Sequence, residues 1–208
     1  MADIFFYAYV EDEPSGNVAI KLFEECNETR EQKLQFAEGF PAITHGNSRI
    51  RDKCPAFLNM AQGGLNTFVI TDLDTTVCAG ELIRKWFSIP DDDPVLLPDE
   101  ILFRIAVREI ESWILADRQA WSEHIGIPVA NFARSPDQLN DPKQHLLNVI
   151  RNKGRKKIHR EMLPIQSAHI GPRYNDVLNE FIIDSWNPSR AADRSPSLKR
   201  AIQALDDF

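Results

Sequence analysis

No run of apolar residues in the 208-residue chain approaches the roughly 20 needed to cross a bilayer, so no membrane partner is expected. Cysteine is scarce. Cys26, Cys54 and Cys78 are odd in number, widely spaced and contain no CxxC pair, which argues against a disulfide framework or a cysteine-based zinc site. A reducing cytoplasm is the expected setting. The start, Met1-Ala2-Asp3-Ile4, lacks the basic stretch and small-residue cleavage site of a signal peptide. Positive charge is also short: 24 Lys and Arg against 31 Asp and Glu give a net charge of −7. That balance argues against a protein that coats nucleic acid with its whole surface, but leaves room for a local basic groove. There is no GxxxxGK[ST] loop, which argues against ATP hydrolysis by this chain, and no GxSxG elbow or GxGxxG loop. His159 and His169 have no metal-ligand spacing, and surface or hydrogen-bonded roles are expected for both.

Apolar runs followed by acid are what the chain does contain. Ile4 to Val10 (IFFYAYV) reads as a strand buried on both faces, and it stops at Glu11-Asp12-Glu13-Pro14. Val18 to Cys26 then has helical spacing. After a less regular stretch, Pro55 to Met60 closes a helix at Gly63-Gly64. Thr67 to Ile70 is a second strand, ending in Thr71-Asp72-Leu73-Asp74. Ile101 to Val107 is a third, leading to Glu109 and Glu111 and a helix over Ile114 to Ile125. Strands alternating with helices predict an α/β fold with a parallel sheet flanked by helices. Residues 1–126 form this unit. Residues 127–208, broken by prolines and helical near 144–152, 175–183 and 197–205, are expected as a helical appendage on the same core.

In open parallel sheets, ligands bind outside the carboxyl ends of the strands. If the three strands are neighbours, Glu11, Asp72, Asp74, Glu109 and Glu111 converge there. Two carboxylates about 4 Å apart repel by roughly 4 kcal/mol at an effective dielectric near 20. A divalent cation or bound protons would relieve that cost. All-oxygen ligation suits Mg²⁺ or Mn²⁺, not zinc. Each acid alone has an ordinary reading: Asp72 and Asp74 as turn or cap residues, Glu109 and Glu111 as partners of Arg104 or Arg108 or as first-turn acids.

Val10-Glu11 and Asp72-Leu73-Asp74 together resemble the Toprim family, whose pattern is a Glu after the first strand and a DxD after a later one. YVEDEPSGNVAIKL, FVITDLDTT, FRIAVREIESWILAD, GPRYNDVL and SPSLKRAI are similar to small stand-alone Toprim-like proteins, related to OLD-type nucleases. Those are often paired with ABC/SMC-type ATPases in bacterial defence. The resemblance implies a Toprim-like, Rossmann-like fold and a Mg²⁺-dependent nuclease, with DNA favoured over RNA and an ATPase as partner. It implies that Asp72 and Asp74 hold the metal and that Glu11 binds metal or acts as acid/base, with Glu109 and Glu111 completing the site or holding a second ion. Asp12 departs from the pattern, which has Gly after the Glu.

Arg151, Lys153, Arg155, Lys156, Lys157 and Arg160 run against the sign of the chain and are candidates for phosphate contacts; the alternative is a solvated helix end. Tyr174 invites comparison with a nucleophilic tyrosine, but packing is expected of it, as of Trp113, Trp121 and Trp186. Three functions stay open: the nuclease, a non-catalytic module docking on an ATPase, and a phosphoryl-transfer enzyme for a small phosphate ester.

Overall fold

A computed structural model describes residues 2–208. Five strands form one parallel sheet: β1 (Ile4–Val10), β2 (Leu34–Phe36), β3 (Ala42–Ile43), β4 (Asn66–Asp72) and β5 (Ile101–Ala106). Both β2 and β3 pair with one edge of β1, and β4 lies on its other side with β5 beyond. The fold is therefore α/β with a parallel, Rossmann-like sheet. β2 and β3 fall in the stretch whose sequence has no clear pattern; at three and two residues they are too short for a periodicity to register.

Helices cover both faces, which is why the middles of β1, β4 and β5 are mostly apolar. On one face Phe6, Ala8, Val10, Phe68 and Ile70 pack with α1 (Glu13–Glu28), α5 (Ile110–Ala116), α9 (Tyr174–Asp184) and α11 (Pro196–Asp206). On the other, Val69, Phe103 and Ile105 meet α2 (Asn47–Arg51), α3 (Cys54–Gln62) and α4 (Ala79–Trp86). The period of two along each strand sends Ile70 to the first core and Val69 to the second.

The first core runs from Phe6 to Leu205, so residues after 126 share the hydrophobic interior of those before it. Trp113, Trp121 and Trp186 are buried within it. Replacing Trp113 with Ala would cost about 3–5 kcal/mol. The helix expected over 114–125 is two helices, α5 and α6 (Arg118–Ile125). The break falls at Asp117, whose carboxylate accepts hydrogen bonds from Arg190 at 2.7 Å and from the Asn187 backbone N–H at 3.1 Å. Beyond it come α7 (Pro142–Lys153), α8 (Lys157–Met162) and α10 (Pro188–Ala192).

After β1 the chain winds to β2 and β3 on one side, then crosses through α2 and α3 to β4 on the other. The direction of winding reverses between β1 and β4. In open parallel sheets, ligands bind outside the carboxyl ends of strands that flank such a reversal.

Candidate metal and phosphate site

Glu11 and Asp72 face each other across this switch point. Glu11 Oε1 accepts the Thr71 hydroxyl at 2.6 Å and the Asp72 backbone N–H at 2.8 Å, so the carboxylate of one strand end is fastened to the next. Burial pushes the Glu11 carboxyl up; the two hydrogen bonds oppose that rise, and the Asp74 and Asp12 charges add to it. Burial also raises Asp72 well above the usual carboxylate range, helped by Glu11, Glu111 and Asp74.

Asp12, the departure from the Toprim-like pattern, is the N-cap of α1. Its carboxylate accepts the Ser15 backbone N–H at 3.0 Å, and its backbone is extended (φ −146°), a conformation that needs no glycine. Pro14 follows in the first turn, where its missing N–H costs nothing.

Leu73 is buried, and its N–H bonds to the Ala106 carbonyl at 2.9 Å. Alternation stops there: Asp74 has a left-handed backbone (φ 49°) and an exposed side chain, and its Oδ2 accepts Asn47 Nδ2 at 2.6 Å. Arg108 braces the turn from β5 by donating to the Asp74 and Thr76 carbonyls. His45, whose N–H donates to the Glu11 carbonyl, also has positive φ (59°). Two non-glycine residues in this sparsely populated region thus lie just beyond the ends of β3 and β4, and such strain commonly collects at functional sites.

Glu109 and Glu111 partner neither Arg104 nor Arg108 through an ion pair; both meet Lys143, in the first turn of α7. Lys143 Nζ lies 3.8 Å from Glu109 and 3.5 Å from Glu111, and the Lys143 N–H donates to Glu109 Oε2 at 3.0 Å. Burial alone would lower the Lys143 pKa, but Glu111, Glu109 and Asp72 outweigh it and the net shift is upward. Burial raises Glu109. Glu111 is 2% exposed, and burial pushes its carboxyl up to about 7 despite the lysine. Tyr174, buried as expected, donates its hydroxyl to Glu111 Oε1 at 3.0 Å, and burial with the Glu111 charge raises its own pKa.

The strand ends thus bring Glu11, Asp72 and Asp74 near Glu109 and Glu111, and Lys143 sits against the last two. Lys143 escaped the sequence reading because it arrives 34 residues after Glu109. One signal was available: Asp141-Pro142 starts a helix there, and a lysine in a first turn opposes the helix dipole unless acids surround it.

Among the described residues, no three His, Cys, Asp or Glu side chains are arranged so that they could already hold a metal ion. The donor chemistry nevertheless fits a hard cation: every candidate atom is a carboxylate oxygen. Glu111 Oε2 is buried with no hydrogen-bond partner, and the raised carboxyls are groups that a cation would stabilise in their ionised form.

The basic segment stands elsewhere. Arg151 lies about 12 Å further along α7 than Lys143. Arg151, Lys153, Arg155, Lys156, Lys157 and Arg160 are all exposed. Lys157 pairs with Glu161 at 3.4 Å, and Arg151 donates to Asn148. Buried His159 holds the fold-back: Nδ1 accepts the backbone N–H groups of Arg155 and Lys156 (2.8 and 3.1 Å), and Nε2 donates to the Ile125 carbonyl at 2.8 Å. Only glycine fits at 154, where a Cβ would lie 2.5 Å from the Ile150 carbonyl oxygen and 2.7 Å from His159 Cβ.

Comparison with protein-family models, curated proteins and solved structures gave no match. No helix among the described residues is long and apolar enough to cross a membrane, and the three cysteines are unpaired.

Proposed function

We propose that the chain is a Toprim-like, Mg²⁺-dependent nuclease, with Mn²⁺ able to replace Mg²⁺. The observation that carries this reading is the gathering of carboxylates from three adjacent parallel strand ends at the switch point, with Glu11 fastened to β4. Glu11, Asp72 and Asp74 would hold the cation, with Glu109 and Glu111 flanking it. A bound divalent ion supplies polarisation of the phosphodiester and a lowered pKa for an attacking water.

The chain's own residues divide the remaining work. Thr71 and the Asp72 N–H fix one oxygen of Glu11, leaving the other free for a ligand or a proton. Burial raises its pKa, the direction that suits a group which takes up and returns a proton. Lys143 offsets the carboxylate charge that would otherwise repel a phosphate. Tyr174 holds Glu111 in place.

DNA is the favoured polymer, with the 151–160 segment touching its backbone outside the site. A cytoplasmic setting is proposed from the unpaired cysteines, and an ABC/SMC-type ATPase partner in bacterial defence from the sequence resemblance alone. One observation favours a second reading: Lys143 already neutralises part of the cluster, as suits a non-catalytic binding module.

The test is cleavage of supercoiled plasmid, single-stranded DNA and RNA with Mg²⁺, Mn²⁺ or EDTA, beside the Glu11→Ala, Asp72→Ala double variant. Metal-dependent cutting that the variant loses supports the nuclease. Cutting that survives in the variant, or in EDTA, contradicts it. No cutting by a protein that also binds no divalent ion supports the binding module.

A further inference from the structure

β5 is the edge of the sheet remote from β2 and β3, and a cavity of about 160 Å³ opens there between β5, α4 and α11. Arg104 of β5 and Arg200 of α11 both line it, with Ile83, Phe103 and Ser197, and no acidic residue does. Among the described residues no ion pair engages either arginine. Arg104 Nε is buried without a hydrogen-bond partner.

This is a costly arrangement as it stands. An unpaired buried donor costs about 1–3 kcal/mol, more when charged. Burial and the neighbouring Arg200 charge both pull the Arg104 pKa down. An oxyanion between the two groups corrects both faults at once, because guanidinium forks match phosphate oxygens in shape and charge. Two forks supply more donors than a two-oxygen carboxylate can accept, which favours phosphate. The volume equals that of about five liquid-phase waters, at ~30 Å³ each, room enough for a phosphate group.

We infer that Arg104 and Arg200 form a phosphate-binding site at the open edge of β5, separate from the carboxylate cluster. In the sheet register Arg104 lies opposite Ile70, two residues before the Asp72–Ala106 pair. That places it roughly 7 Å back along the strand from the carboxylates. The site stands on its own geometry and does not depend on the nuclease reading.

The test is calorimetric titration with inorganic phosphate, in EDTA and at constant ionic strength, of the unaltered protein and of Arg200→Gln. Arg200 is exposed, so the variant should keep the fold, and matching circular dichroism melts would verify it. Saturable binding weakened about tenfold or more in Arg200→Gln is expected, the loss of a charge-assisted hydrogen bond. Adding a single-stranded oligonucleotide without terminal phosphates separates the sources. Competition with phosphate assigns the site to a nucleic-acid backbone; binding without competition assigns it to a free phosphate compound. Phosphate binding that is absent, or equal in the two proteins, overturns the site. EDTA keeps this outcome separate from failure of the metal site.

Discussion

Helix α7 carries positive charge at both ends, and the two ends behave differently. At its start Lys143 sits against two carboxylates from the start of α5, partly buried and fixed by Glu109 and Glu111. At its finish Arg151 and Lys153 project into solvent, joined by the exposed charges of 155–160. The sequence segment that looks most functional is the one with the fewest fixed partners. An inconspicuous lysine is the one that the fold has built into its acidic centre. The concentrated charge lies on the exposed surface, and the opposed charges meet across 34 residues of sequence.

The largest difference should follow from removing an acid at the switch point. Glu11→Gln is expected to lower metal-dependent cleavage by about two to four orders of magnitude, the range for losing an acid or base, while circular dichroism shows an intact fold. Substitutions at Arg155 or Lys157 should leave turnover on short substrates nearly unchanged.

Next in size is pH dependence. The folded protein holds the Glu111 proton more tightly than the unfolded chain, with a pKa near 7 against an ordinary 4.5. Metal-free protein should therefore lose stability as pH rises from 4.5 to about 7, by about 3 kcal/mol. Urea denaturation across that range measures it, and saturating Mg²⁺ should flatten the decline. A flat metal-free profile would mean that Glu111 is not desolvated as described.

Lys143→Met should destabilise by about 2 kcal/mol at pH 8, since it strips the counter-charge from a buried carboxylate. The added change Glu111→Gln should recover most of that loss, which a double-mutant cycle reads directly. Equal, additive losses would break the contrast between the two ends of α7. The smallest effect belongs to the exposed end. Arg155→Glu with Lys157→Glu should change stability by no more than about 0.5 kcal/mol for each substitution. If both residues touch phosphates, that pair should also reduce the salt slope of DNA binding by about two.

Much of the fold was legible because composition changes abruptly where strands end. IFFYAYV gives way to Glu11-Asp12-Glu13, and Thr67–Ile70 to the Asp72 and Asp74 turn; three such junctions implied both a parallel sheet and an acidic edge. β2 and β3 were illegible because a few residues carry no period, and their pairing with β1 is a tertiary choice. Asp12 looked like a defect in a motif and is a helix cap, a role set by Ser15 three residues on. Lys143 and the Tyr174 hydrogen bond depend on the route of the helices after residue 126, which local spacing does not encode. The basic segment was visible in composition, yet its distance from the acids is fixed by the length of α7.

The most direct measurement is calorimetric titration of Mg²⁺ and Mn²⁺ into the unaltered protein and into Asp72→Asn at pH 7. Saturable binding in the unaltered protein, with protons released as Glu111 ionises, and its loss in Asp72→Asn is the expected result. Absence of saturable binding, or equal affinity in the two proteins, would contradict a cation site at the strand ends.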